Sequence, residues 1–407
     1  MNQTLCRSAA GLLACGMLAG LVPARASEPV SAPYAGAVSE VPSAQTVTWE
    51  ELPQRIREGN PLSQALGEGI RGLDSIDYEL MRKKLVDQLN ELAEWQWGAS
   101  LMKDNYTTSI LGQQYDLVRD VFDDLKAGEL QQDHADAIRQ QENGRDQLVA
   151  GGQTLYITLL TLEQSLLDAD RGLATLDRSL TELRLRRQLG QVSDQQVQQL
   201  EQTRTDTLSK ISTLKNTISV YKAQLQSLMG ETPTGELTLG PLPEVTQEDL
   251  EHISYDEDLA AAKEASWTLY SAKLTLDDAE EQWKEDKKDL RNSSYQYEYT
   301  IAESTWNAAQ FTYQSEVLSF ETSFHALYQT LMDKRQALDS KTSDLAYHQK
   351  LLEAARLRYE RGSASYFSVL AAQDDLETAR SALETAQIEL FAAYHNYQTA
   401  VAYGILS

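Results

Sequence analysis

From Leu155 onward the chain carries apolar side chains in alternating steps of four and three: Leu155, Leu159, Leu162, Leu166, Ala169, Leu173, Leu176, Leu180 and Leu183, closing on Arg187. After Gly190 a second ladder, Val197, Leu200, Arg204, Thr207, Ile211, Leu214, Ile218, Tyr221, Leu225 and Leu228, steps by three and four in the same way. That spacing lines one stripe along a helix, the seam of a coiled coil. Two seams separated by a few residues predict an antiparallel hairpin bent at Gly190 to Asp194. Glycine there ends one helix in left-handed geometry, and Ser193 or Asp194 caps the next.

The same event recurs 172 residues later, pairing Arg184 with Arg356, Leu185 with Leu357, Arg186 with Arg358, Gly190 with Gly362, Ser193 with Ser365 and Val197 with Val369. Shifting the ascending seam by that offset gives Leu327, Leu331, Lys334, Leu338, Lys341, Leu345, His348, Leu352, Ala355 and Tyr359; the return seam becomes Val369, Ala372, Leu376, Ala379, Leu383, Ala386, Leu390, Ala393, Tyr397 and Ala400. The register survives without a gap, as an internal duplication requires. Smaller residues on the second return seam predict a closer approach of its two helices. Each arm, about 36 residues, would run about 54 Å, and a seven-residue period implies left-handed supercoiling. The expected fold class is all-α, with long coiled-coil helical hairpins in two repeats. An ordinary helical bundle with two turns is the alternative; matched arms several times longer than the usual 11 to 12 residues oppose it.

Composition adds compartment and excludes partners. The 407 residues are 42% hydrophobic with 61 acidic against 36 basic residues, a formal charge of −25, which argues against nucleic acid and against anionic lipid heads. Arg7, an apolar run from Ala9 to Val22 and "ARA" at 24–26 read as a signal peptide over residues 1–26, so both cysteines, Cys6 and Cys15, would be removed. A lipoprotein site at "LLAC", ending on Cys15, is the alternative. Residues 27–48 read as a flexible leader and 49–229 as the first helical repeat, interrupted near "GNP" at 59–61. Residues 230–246 form a Pro/Gly linker, and 247–407 the second repeat with its turn near 362–366. Beyond the signal no apolar run approaches the roughly 18 residues of a membrane-spanning helix; the longest is Leu155 to Leu162.

With its Asn-Pro opening "VTWEELPQRIREGNPLSQAL", its two Gly-marked turns, the spacing of Tyr359, Gly362, Ser365, Val369, Leu370 and Gln373, and the closing "LMG" and "AYG", the chain resembles the TolC-like outer-membrane efflux protein family over nearly its whole mature length. The resemblance implies a homotrimeric helical tunnel, a TolC-like α-barrel built from protomers, that passes drugs or secreted molecules outward. It also implies a periplasmic adaptor protein and an inner-membrane pump as partners. The turn residues Gly190, Gln191, Val192, Ser193, Gly362, Ser363, Ala364 and Ser365 would meet the adaptor. Family members often carry aspartates just past the second turn, but Ser368 and Ala371 stand there in this chain, with Asp374 and Asp375 one turn further. Those two aspartates are candidate gate residues or a solvated face. Tyr359 matches a residue that helps hold the entrance closed, or else packs in the core.

The family's β-barrel strands should fall near 95–115 and 293–315, and neither stretch reads as a pair of strands of the 9 to 11 residues a barrel needs. Strands are therefore expected to be reduced or absent. One short strand is suggested by the alternation of Tyr295, Tyr297, Tyr299 and Ile301. Trp95, Trp97, Tyr106, Tyr295, Tyr297, Tyr299 and Trp306 are suited to a membrane interface, where an aromatic body meets lipid and its polar edge meets water, or to packing between helices.

Enzymatic chemistry finds no purchase. "GEGIRG" at 67–72 fits a dinucleotide-binding spacing but no strand precedes it; His134, His252, His325, His348 and His395 are scattered; and no phosphate loop or nucleophile motif occurs. No cofactor or metal is expected. An exported coiled-coil scaffold or adhesin without transport stays the alternative to the duct, and the cell envelope surface the alternative to the outer membrane. Mass spectrometry of the exported protein is expected to place its N-terminus at Ser27; an acylated N-terminal Cys15 would contradict that cleavage.

Overall fold

The computed structural model describes residues 46–290 and 296–406, with the side chains of 289, 290 and 296 left aside. Its elements in order are β1 (Thr46–Val47), α1 (Leu52–Gly59), α2 (Pro61–Asp74), α3 (Tyr78–Leu101), α4 (Asn105–Ala127), α5 (Glu129–Gln188), α6 (Asp194–Leu228), β2 (Thr238–Leu239), α7 (Gln247–Glu251), α8 (Tyr255–Ala265), α9 (Trp267–Leu290), α10 (Gln296–Glu360) and α11 (Tyr366–Tyr403). The signal peptide and the leader up to residue 45 lie outside the described residues. The described residues form two compact units, Gly69–Arg139 in one, residues 46–68 and 140–406 in the other.

In the first unit α3 and α4 make a helical hairpin. Asp77 and Asp104 cap the two helices, accepting from the backbone of Leu80 and Thr107, and the Thr107 hydroxyl, 2.6 Å from Asp104, holds that carboxyl below its usual range. Gly128, at φ 89°, ends α4. Tyr78 reaches His134 Nδ1 at 2.9 Å, and burial pushes that imidazole down.

In the second unit each hairpin closes along its seam. On α6, Val197, Ile211, Ile218 and Leu225 are buried, and on α11 so are Val369, Leu376, Ala379, Ala386, Leu390, Ala393, Tyr397 and Ala400. Ion pairs flank the first seam, Arg184 to Glu201 at 2.8 Å, Arg204 to Asp177 at 2.5 Å and Lys222 to Glu163 at 2.6 Å. Rising numbers on one arm meet falling numbers on the other, which fixes the arms as antiparallel. The second hairpin does the same through Lys334 and Glu389 at 2.8 Å and through a tip cluster of Leu352, Val369 and Leu376. Alanine at every seventh return position leaves room for α10 to lie close.

The bases of the hairpins are tied together by the start of the chain. Thr46 and Val47, at the end of the expected leader, pair in parallel with Thr238 and Leu239 of the linker. Tyr156 on α5 bridges the Val47 and Gly240 carbonyls at 3.1 and 2.7 Å; desolvation pushes its phenol up to about 12. Trp49 meets Tyr156, Phe391 and His395 edge-on, with ring centroids 5.6, 4.9 and 4.8 Å apart. Asn60 closes α1 and opens α2, its side chain donating to the Leu228 carbonyl at 3.0 Å. A second core gathers Phe320, Phe324, Leu331, Leu390 and Tyr397, whose hydroxyl donates to Asp258 at 2.8 Å.

The strand suggested by Tyr297, Tyr299 and Ile301 is overturned, because these residues lie in α10; Tyr295 is outside the described residues. Tyrosine's β propensity yields here to tertiary packing. Ala302 is buried and Trp306 stacks on Trp283 at 4.4 Å, contacts that need helical spacing. The glycines of "GEGIRG" sit inside α2, which follows directly on helix α1 and not on a strand.

Two stability predictions follow from this geometry. Gly230, at φ 72°, lies so close to Gly59 that a Cβ would meet its carbonyl oxygen at 1.9 Å, whereas a Cβ on Gly172 meets nothing within 4 Å. Gly230→Ala is expected to cost about 2 kcal/mol or more in denaturant unfolding, while Gly172→Ala is neutral or gains up to about 1 kcal/mol; equal effects would contradict the close approach. Burial lowers His395 from 6.5 to about 4. As pH falls through 6.5 the unfolded chain takes up a proton that the folded chain refuses, so stability drops by up to about 1.4 kcal/mol per pH unit until about pH 4. His395→Phe should remove that part of the slope between pH 7 and 5, and an unchanged slope would contradict it.

Candidate functional site

The two elbows are built alike from the backbone upward. At the first, Gly190 donates to the Arg187 carbonyl and Gln191 to the Arg186 carbonyl, both at 2.9 Å; at the second, Gly362 donates to Tyr359 and Ser363 to Arg358, again at 2.9 Å. The glycines have φ 71° and 69°. This paired bonding satisfies helix-end carbonyls and demands left-handed geometry, which glycine reaches without a Cβ penalty. Ser193 and Ser365 then cap the next helices, at ψ 157° in both. Ser193 makes a full capping box with Gln196; the second elbow has Ser368 in that place, and its hydroxyl turns back to the Ser365 carbonyl.

Gly190, Gln191, Ser193, Gly362, Ser363 and Ser365 are exposed, while Val192 and Ala364, equivalent by the duplication, are half-buried. No atom lies within 4 Å of where a Cβ would stand on Gly190 or Gly362, so their outer faces are open. Tyr359, expected on the seam, is 47% exposed, its ring 5.8 Å from that of Tyr366. At the last turn of α10 the seam has already run out.

The two hairpins meet along α5 and α11. Arg178 reaches Asp374 at 2.6 Å, and Gln164 donates to Ser381 at 2.9 Å and to Glu384 at 2.8 Å, while the Ser381 hydroxyl donates to Asp168. Gln164 and Ser381 are buried. Asp374 is therefore ion-paired across the hairpins, whereas Asp375 is exposed and makes no ion pair among the described residues. Arg178, Gln164 and Ser381 lie off the predicted seams. Periodicity reveals one buried stripe per helix, and these residues form a second, polar one; Gln164 and Asp168, four apart on α5, are its only local trace.

Trp95 and Trp97, 57% and 69% exposed, lie on α3 near a turn whose Leu101, Met102 and Tyr106 are also exposed. Tyr297 is exposed and Tyr299 half-buried on α10. Among the described residues no group of three His, Cys, Asp or Glu could hold a metal, and no helix is long and apolar enough to cross a membrane.

No protein-family model matches the chain, and no curated protein matches it. Solved structures do. The outer-membrane channel OprN aligns over 87% of this chain and 89% of that chain, at 14% identity and a TM-score of 0.53. The outer membrane protein VceC from Vibrio cholerae covers 87% and 96% at 14% identity and a TM-score of 0.49, and the Campylobacter jejuni CmeC outer membrane channel 94% and 95% at 12% and 0.43. The first of these carries the comparison: with its two glycine elbows and paired hairpins, this chain has the fold of the TolC-like outer-membrane channel proteins.

Proposed function

We propose that the protein is an exit duct of a multi-part efflux or secretion system, exported to the outer membrane and periplasm and assembled as a homotrimer. The observation that supports this best is the pair of like-built elbows closing two hairpins of the fold seen in OprN. Four long helices per protomer become a closed tunnel only when copies stand side by side. The elbows, open above Gly190 and Gly362, then present small and polar residues to a periplasmic adaptor, which couples the duct to an inner-membrane pump. Arg178 with Asp374 holds the two hairpins together near the mouth, and Tyr359 and Asp375 line its rim. Trp95 and Trp97, exposed on α3, and separately Tyr297, exposed on α10, supply aromatic side chains suited to a membrane interface.

Light scattering behind size exclusion, with electron microscopy of the same particles, tests the assembly. A trimer enclosing a central passage is expected. A monomer or dimer would instead favour an exported coiled-coil scaffold.

A further inference from the structure

The duplication makes the two elbows directly comparable, and their charges differ in a way their backbones do not. Around the first elbow every arginine is neutralised from within: Arg184 by Glu201 at 2.8 Å, Arg186 by Glu182 and Arg187 by Asp194. The second elbow keeps arginine at two of those positions, Arg356 and Arg358, and adds Arg361. Its counterparts of the three neutralising acids are Ala354, Tyr366 and Gln373. Arg356, Arg358 and Arg361 are exposed, and none makes an ion pair among the described residues. Glu353 and Glu360 are the acids left in this turn, and neither makes an ion pair with an arginine among the described residues. Leu357 and Tyr359 stand between the arginines, and Tyr366 and Phe367 open the helix after the turn, all 46 to 58% exposed.

We propose that the second elbow is a docking surface for a partner protein that presents an acidic, apolar-faced segment, and that the first elbow is not its equal. Unpaired guanidiniums prefer carboxylates, which they can bind bidentately, and aromatic side chains beside them supply the apolar area that anchors an interface. In a chain of net charge −25, an unneutralised basic patch also steers an acidic partner to one place. Replacement of the pairing acids removes the internal competitors that satisfy the first elbow. The inference rests on the reading of the elbows as partner contacts, and it specifies which elbow leads and by what chemistry.

The test uses the full mature chain and two fluorescent amphipathic helical peptides, identical in their Leu and Phe positions, one carrying Glu and the other Lys at the remaining positions. Fluorescence anisotropy is expected to show the Glu peptide binding at least tenfold tighter than the Lys peptide, with affinity falling as salt rises. Replacing Arg356, Arg358 and Arg361 by Gln should weaken it at least tenfold. The same change at Arg184, Arg186 and Arg187 should alter it less than twofold. Equal binding of the two peptides, absence of binding, or equal loss from both triple variants would overturn the proposal. Circular dichroism of each variant distinguishes lost recognition from lost folding. A trimer with a passage that nevertheless binds the Lys peptide better would leave the duct reading standing and remove this one.

Discussion

A strip of apolar side chains every three or four residues, buried between two antiparallel helices, is the constraint on which the rest depends. An isolated helix gains little by itself in water, so α5, α6, α10 and α11 persist because each buries its stripe against a partner. The stripe pairs correctly only if the chain reverses at a fixed point. Gly190 and Gly362 set that point, because their left-handed geometry and the two backbone bonds at each elbow leave no slack in the register. The ion pairs along the first hairpin then follow from the register. The more exposed of them, Arg184 with Glu201 and Arg204 with Asp177, contribute little energy of their own.

What holds one hairpin to the other is chemically different. The seams bury mostly apolar side chains, whereas the α5 and α11 contact adds polar pairs off those seams, Gln164 with Ser381 and Glu384, and Arg178 with Asp374. Buried polar groups are costly unless satisfied, and here Gln164 and Ser381, both buried, find partners on the opposite hairpin, which favours one alignment over a sliding one. An apolar interface would tolerate slippage by a turn; this one penalises it. At the bases, Trp49 and the short β1 and β2 pair add a clasp that brings residues near the chain's start, the linker and α11 together.

The seams and elbows were legible because both are local: a heptad pattern spans a few turns, and a glycine followed by a capping serine spans four residues. The duplication doubled that signal. The clasp was hidden, since a strand of two residues has no pattern and its partner lies far along the chain. Gln164 and Ser381 were hidden for a related reason, being polar residues whose burial depends on a helix more than 200 positions away. Tyr297, Tyr299 and Ile301 misled because alternation over so short a stretch fits a strand, while the stacking of Trp306 on Trp283 from the preceding helix is visible only in three dimensions. Tyr359 kept its place in the repeat but not its burial, as the last turn before an elbow has little left to pack against.

The central claim is that the two elbows stand at the same end of a paired structure. Since the mature chain is expected to lack cysteine, spin labels can be placed singly at Gln191 and Ser363 and their separation read by pulsed electron resonance, with labelled protein diluted into unlabelled protein. From the Arg178 and Asp374 contact each elbow lies about 12 residues further on, so a separation under about 30 Å is expected. A separation beyond about 60 Å would place the elbows at opposite ends and contradict the account.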